Sequence, residues 1–272
     1  MHDYSSTPVE MFATLWRHRQ TIKAMARHEV LTRYRDSLFG LIWSFLNPLL
    51  TLVVFTFVFS VIFQARWGGG TGSKTEFALV LFAGLLVFNL FSEYINRAPS
   101  LILSNPNYVK KVIFPIEILP MVSLLSALFH ASISLVVWLL AYTLFFGIPH
   151  LTALYLPIII LPFCLFLMGL SWALSALAVF LRDVSQLIGL LTTALMFLSP
   201  ILYPVDAFPE TYRYILYLNP LTVIVEQFRE VLFWGRSPDF YVLGIYSVFA
   251  FSVAYLGFKA FQNMREGFSD VL

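Results

Sequence analysis

The sequence predicts an all-α integral membrane protein: six transmembrane helices, an N-terminal amphipathic interface helix, and two short outer re-entrant helices between spans five and six. Three observations carry that prediction. Hydrophobic residues make up 59% of the 272 and charged residues 12%, about half the charged share of an ordinary soluble domain. The apolar residues gather in runs long enough to cross a hydrocarbon layer about 30 Å thick. The basic residues gather between those runs, mostly on one side. The whole of 1–272 reads as a single transmembrane domain.

The elements follow in order. From Pro8 on, Val9, Phe12, Leu15, Trp16, Ile22 and Met25 alternate with Arg17, Arg19, Lys23 and Arg27. That spacing predicts one basic amphipathic helix over 8–32, lying in the membrane interface, as a lipid-surface anchor or a docking element for a partner. The first span is expected at 38–63, starting too late for a signal peptide and followed by no small-residue cleavage site. Asn47-Pro48 inside it removes one backbone donor, which membrane helices tolerate where neighbours satisfy the freed carbonyl.

An outside loop over 64–76 contains Gly68-Gly69-Gly70-Thr71-Gly72-Ser73-Lys74-Thr75. It nearly spells a phosphate-cradling loop, but Ser73 stands where glycine must precede the lysine. The stretch therefore reads as a flexible linker. Spans two to five are expected at 77–96, 118–147, 153–181 and 187–203, with a polar, proline-marked connector at 98–117. The segment 203–239 holds Pro204, Pro209, Pro220 and Pro238. It is too apolar for a solvated loop and too broken to span, so it reads as a re-entrant pair, surrounded by protein. Span six follows at 240–258.

Six spans put both ends of the chain on one side. Lys and Arg on that side number six before span one, three at 97–117, one at Arg182 and two after span six; the other side has Arg66, Lys74, Arg213, Arg229 and Arg236. The positive-inside rule then places both termini in the cytoplasm. A multi-pass protein of the bacterial inner membrane is expected.

Candidate chemistry is sparse. Ionisable residues within spans mark function by default, and Glu93 and His130 are the two candidates. Glu93 lies one turn from Arg97, which predicts a local ion pair; His130 reads as a neutral histidine bonded to a neighbouring helix, with a proton relay as the other reading. Glu226 and Glu230 flank Arg229, which predicts a surface ion pair. The six aspartates are scattered, so no carboxylate cluster is expected to hold a metal and a diphosphate, as a membrane transferase would need. No catalytic residue, metal site or cofactor is expected on the chain, and no nucleic-acid partner. The lone Cys164 reads as a buried apolar side chain. An aromatic pattern remains: Trp43, Phe45, Phe55, Phe59 and Phe63 along span one, Phe197 and Tyr203 toward the end of span five. Aromatic faces suit the C–H surfaces of sugar rings, and equally suit lipid or core packing.

A resemblance accompanies this reading. Arg33-Tyr34-Arg35 with Ser37, Gly40, Trp43 and Pro48 resembles the opening of span one in type-2 ABC exporter permeases, in the branch that exports lipid-linked O-antigen, capsule and wall teichoic acid. Asn107–Pro115 resembles that branch's cytoplasmic coupling region, and Phe180–Val184 its next cytoplasmic turn. Ser199-Pro200-Ile201, Tyr203-Pro204, Asn219-Pro220-Leu221-Thr222 and Phe228-Arg229 are similar to its outer gate helices. The resemblance implies a homodimer with two copies of a separate ATPase that holds ATP and Mg. It implies a path lined by spans one and five, hence by Trp43, Phe55, Phe59, Phe197 and Tyr203. It implies ATPase coupling through Asn107, Lys110, Lys111, Arg182 and Asp183. Arg33 and Arg35 would meet the lipid diphosphate at the entrance, arginine forks suiting phosphate, or anchor lipid headgroups. The other readings are a type-2 exporter of drugs or lipids, and a membrane-embedded glycosyl or prenyl transferase.

If 68–75 is no nucleotide site, Lys74→Ala leaves ATP hydrolysis by the assembled transporter unchanged. Phosphate release from the purified complex measures it; loss of hydrolysis with the complex intact contradicts the linker reading.

Overall fold

In the computed structural model, residues 6–33, 42–58, 73–109 and 114–271 are described. Among them the chain is helical: α1 Pro8–Arg17, α2 Arg19–Arg33, α3 Ile42–Phe55, α4 Lys74–Arg97, α5 Ser100–Leu103, α6 Pro106–Val109, α7 Leu119–Phe146, α8 Leu156–Phe180, α9 Val184–Leu198, α10 Arg213–Leu218, α11 Pro220–Leu232, α12 Phe240–Met264 and α13 Phe268–Val271. Four described helical stretches are long and apolar enough to cross a membrane: Lys74–Arg97, Ile116–Phe146, Leu151–Phe180 and Phe240–Gly267. Ile42–Val58 and Val184–Leu198 are apolar but shorter.

Helix starts follow local chemistry. The Thr7 hydroxyl accepts from Glu10 N at 3.2 Å, with Pro8 as the first helical residue. Ser73 caps α4 by accepting from Glu76 N at 3.1 Å, the serine-x-x-glutamate signature of a helix start. Ser73 and Lys74 of the near-phosphate motif thus open a helix, where a linker was expected; Gly68 to Gly72 lie outside the described residues. Asn219 caps α11 and Asp239 caps α12 through their side-chain oxygens.

The expected single helix over 8–32 is two helices, broken at His18. Phe12 of α1 stacks on Phe251 of α12 at 6.3 Å. Ile22 and Ala26 of α2 pack on Ile118 and Val122. The break lets α1 and α2 bury their apolar faces against different helices.

The central helix is α4, buried along nearly its full length. Around it, two indoles and a phenol bond to backbone carbonyls. Trp138 Nε1 of α7 donates to Leu79 O at 2.8 Å, Tyr94 OH donates to Pro120 O at 3.0 Å, and Trp172 Nε1 of α8 donates to Glu117 O at 2.9 Å. The Trp138 bond joins the later part of α7 to the start of α4, and the other two set the connector end of the bundle, where α4 stops and α7 begins. There the carboxylate of Glu117 also meets Arg265, just past α12, at 2.8 Å, both side chains nearly buried.

Helices α8 and α12 approach each other to backbone contact. Gly169 and Gly257 face each other backbone to backbone: a Cβ on Gly169 would lie 2.5 Å from Val253 O and 2.6 Å from Ala254 Cα, and one on Gly257 would overlap Gly169 O. Ala250 and Ala254 continue the small stripe. Small residues let membrane helices gain contact by approaching closely, since lipid supplies no hydrophobic drive between them.

Gly257→Leu is therefore expected to separate α8 from α12 and to lower the melting temperature in detergent sharply, or abolish folded yield. Gly244→Ala meets nothing within 4 Å and is neutral to mildly stabilising, since alanine is the better helix former. Fluorescence-detected gel filtration after a heat series distinguishes them.

Candidate functional site

A cleft of about 960 Å³ opens at the connector end between α2, the end of α4, α5 and the start of α7. Its walls carry Glu29 and Arg33 from α2, and Glu93 and Arg97 from α4. The pairing is antiparallel. Arg97 donates to Glu29 at 2.5 Å, and Arg33 pairs with Glu93. The expected local pair between Glu93 and Arg97 is thus replaced by two interhelical pairs. The reason is geometric: each helix presents glutamate and arginine four residues apart, on one face, and running the two faces antiparallel satisfies all four charges across the gap. Arg33 Nη1 also approaches His130 Nε2 of α7 at 3.4 Å, so the imidazole has a neighbouring-helix partner. His130 stands eleven residues beyond Leu119, about 16 Å along the axis at the α-helical rise. The cleft therefore carries charge well into the bundle.

A second polar centre lies at the opposite end. Arg229 of α11 is 1% exposed, which corrects the expected surface ion pair. Its guanidinium donates to Val80 O of α4 at 3.1 Å, Pro200 O at 2.5 Å, Ile201 O at 2.8 Å and the Glu226 carboxylate at 2.8 Å. Gly84 makes the room, since a Cβ there would lie 2.6 Å from Arg229 Nη2. Asn219 Nδ2 adds bonds to Ser199 Oγ at 2.7 Å and Leu198 O at 3.2 Å. The Ser199-Pro200-Ile201 turn needs such donors, because proline removes the backbone N–H that would continue α9. The segment 203–239 is pinned further by Thr152 Oγ1 donating to Val231 O at 2.7 Å and by Asp239 N donating to Gln227 Oε1 at 2.8 Å.

The sequence-predicted residues distribute as follows. Trp43 is partly exposed on α3, and Phe55 is half-buried against the core. Phe197 is 61% exposed near the end of α9. Tyr203 OH donates to Phe197 O at 2.7 Å, and its ring stacks on Phe208. Helix α3 packs on α7 and α4, and α9 on α4 and α8, so the two aromatic rows flank α4. Asn107, Arg182 and Asp183 are exposed at the connector end, where Tyr108 stacks on Phe114 at 4.4 Å. Arg35, Phe59, Lys110 and Lys111 lie outside the described residues, as do Tyr34, Ser37 and Gly40. Sequence reasoning missed the Glu29–Arg97 pair, although the matching glutamate-x-x-x-arginine spacing at 29–33 and 93–97 was a signal for it. The carbonyl bonds of Arg229 had no such signal.

Helices of membrane-crossing length, with two buried or half-buried polar centres between them, define an integral membrane protein. A family model described as ABC-2 type transporter matches residues 20–233, and the chain belongs to that family; it is a transport permease and not an enzyme. Among relatives, it is similar to the O-antigen export system permease protein RfbA of Klebsiella pneumoniae, 26% identical over 246 residues, covering 90% of this chain and 92% of that one. It is also similar to RfbA of Myxococcus xanthus, 25% identical with 96% and 99% covered. The polysialic acid transport protein KpsM of Escherichia coli is 24% identical, with 90% and 94% covered.

Replacing Arg229 by alanine leaves three carbonyls and Glu226 without their donor, at a cost of about 3–5 kcal/mol, the usual range for breaking a buried charge pair. Arg229→Lys keeps the charge but not the fork, and is expected to fall between. Melting temperatures in one detergent rank the three proteins; an alanine variant as stable as the parent would contradict the assignment.

Proposed function

We propose that this chain is the membrane half of an ATP-driven exporter that moves a lipid-linked polysaccharide, O-antigen-like, from the cytoplasm across the bacterial inner membrane. The observation that carries the reading is end-to-end similarity to permeases named for O-antigen export. In this reading α3 and α9 complete a six-span bundle with both termini in the cytoplasm, and the connector end faces the cytoplasm. The basic excess on that side supports the orientation. The pair α10–α11 forms the outer re-entrant gate, supported by the Arg229 bonds that seat α11 against α4.

Two copies of the chain pack around the path, with a separate ATPase bound to each. The exposed apolar faces of α3 and α9, including Leu50, Val53, Leu187, Leu190 and Phe197, support such a dimer, because they are the least covered helices of the bundle. ATP and Mg belong to the ATPase; this chain supplies the docking surface through α1–α2, the connector at Asn107, Lys110 and Lys111, and the turn at Arg182-Asp183. The lipid diphosphate enters at the cleft that Arg33 lines, with Arg35 two residues on. The polymer then slides past Trp43, Phe55, Phe59, Phe197 and Tyr203. A long polar polymer must not be gripped, and aromatic contacts worth about 1 kcal/mol each exchange ring by ring.

The test is export itself. Removing the chain from its host is expected to abolish surface polysaccharide while lipid-linked polymer accumulates inside, and restoring it reverses both. With Phe55→Ala and Phe197→Ala combined, export of long polymer is expected to fall several-fold while folding and ATPase assembly persist. Unchanged export places the path elsewhere.

A further inference from the structure

We propose that Glu29 and Glu93 are stand-ins for phosphate: a lipid-borne diphosphate entering the cleft takes Arg33 and Arg97 from them and so releases α2 from α4. The proposal rests on the exporter reading and adds Arg97, the displaceable carboxylates and the helix motion to it.

The two polar centres behave differently, and the contrast carries the argument. Arg229 is buried, three of its four acceptors are backbone carbonyls, and a Cβ at residue 84 would collide with it. The Arg33 and Arg97 side chains are 48% and 40% exposed, and both face an open cleft. Pairs this exposed hold little net stability, because water screens them and their long side chains lose freedom in pairing. Their carboxylates are therefore easily exchanged for a stronger acceptor. A diphosphate is that acceptor: two linked anionic groups, each offering several oxygens to a planar guanidinium fork. Arg33 of α2 and Arg97 of α4 line the same cleft from facing helices, so one ligand can engage both.

The rest of the lining fits a ligand with a charged head and an apolar tail. His28, Thr32, Ser104 and Asn105 offer further polar groups beside the arginines, while Met25, Leu101, Leu119 and Val122 form an apolar wall. Releasing the carboxylates has a mechanical result. Among the described residues, the side-chain hydrogen bonds joining α2 to α4 are these two pairs, whereas the apolar face of α2 rests on Ile118 and Val122. Once the pairs open, α2 stays attached along α7 but loses its hold on α4. The helix leads in sequence into α3, so ligand arrival is passed to the first membrane span.

The experiment uses the permease–ATPase complex in nanodiscs, with farnesyl diphosphate as probe and inorganic pyrophosphate as the tail-less comparison. Glu29→Gln with Glu93→Gln is expected to bind farnesyl diphosphate about tenfold tighter than the parent, the scale of losing modest half-exposed competitors. Each single variant keeps one pair intact and gains less. Arg33→Gln with Arg97→Gln loses binding at least tenfold. In the parent complex, farnesyl diphosphate is expected to speed amide exchange in α2, a reading that needs no variant to fold. Unchanged or weaker binding in the glutamine variants, or unaltered exchange in α2, overturns the stand-in role. Equal affinity for pyrophosphate overturns the lipid-borne ligand. Polymer export by the parent complex is assayed in parallel. Its absence with diphosphate binding intact overturns the exporter reading alone, whereas export with unaltered affinity in the glutamine variants overturns this proposal alone.

Discussion

An arginine removed from water must find an acceptor for its N–H groups inside the protein, and Arg229 does so by gathering parts of three separate chain segments. Val80 comes from α4, Pro200 and Ile201 from the turn after α9, and Glu226 from the preceding turn of α11. The turn carbonyls of Pro200 and Ile201 depend on it most, since a buried carbonyl without a donor is itself costly. The guanidinium therefore fixes where α9 ends, where α11 lies against α4, and why residue 84 is glycine. Asn219 repeats the device on a smaller scale, capping α11 while bonding Ser199 and Leu198.

The bundle divides into a tight part and a loose part. Where Gly169 meets Gly257, α8 and α12 approach to backbone contact, and the indole bonds of Trp138 and Trp172 lock α7 to α4 and α8 to the connector end. Dense packing of that kind resists deformation. By contrast, α3 and α9 rest on the bundle by one side and leave apolar faces uncovered. A transporter needs both properties: a frame that carries force and helices that can part around a cargo. In the proposed dimer the uncovered faces meet each other or the polymer, so their exposure in a single chain is no defect of the fold.

The same residue type serves opposite ends by a difference in surroundings. At one end arginine is buried with three backbone carbonyls among its acceptors and acts as a rivet. At the other, Arg33 and Arg97 sit half-exposed with flexible carboxylates, and an exchangeable bond results. Burial separates the two roles, and burial is a property of the assembled helices.

The sequence by itself determined the class of protein. Its charge fraction and the lengths of its apolar runs are local properties, and each long helix appears near where the hydropathy pattern puts it. Pairing was another matter. From spacing alone Glu93 belongs with Arg97, and Arg229 with its flanking glutamates at the surface. Only the antiparallel approach of α2 to α4 brought residues 29 and 97 together, and only the seating of α11 put Val80 within reach of Arg229. The break at His18 was equally invisible, because it depends on α1 and α2 choosing different helices to pack on. Periodicity records which face of a helix is apolar; it holds no record of which distant helix that face meets, and in this chain the partner decided the chemistry of each charge.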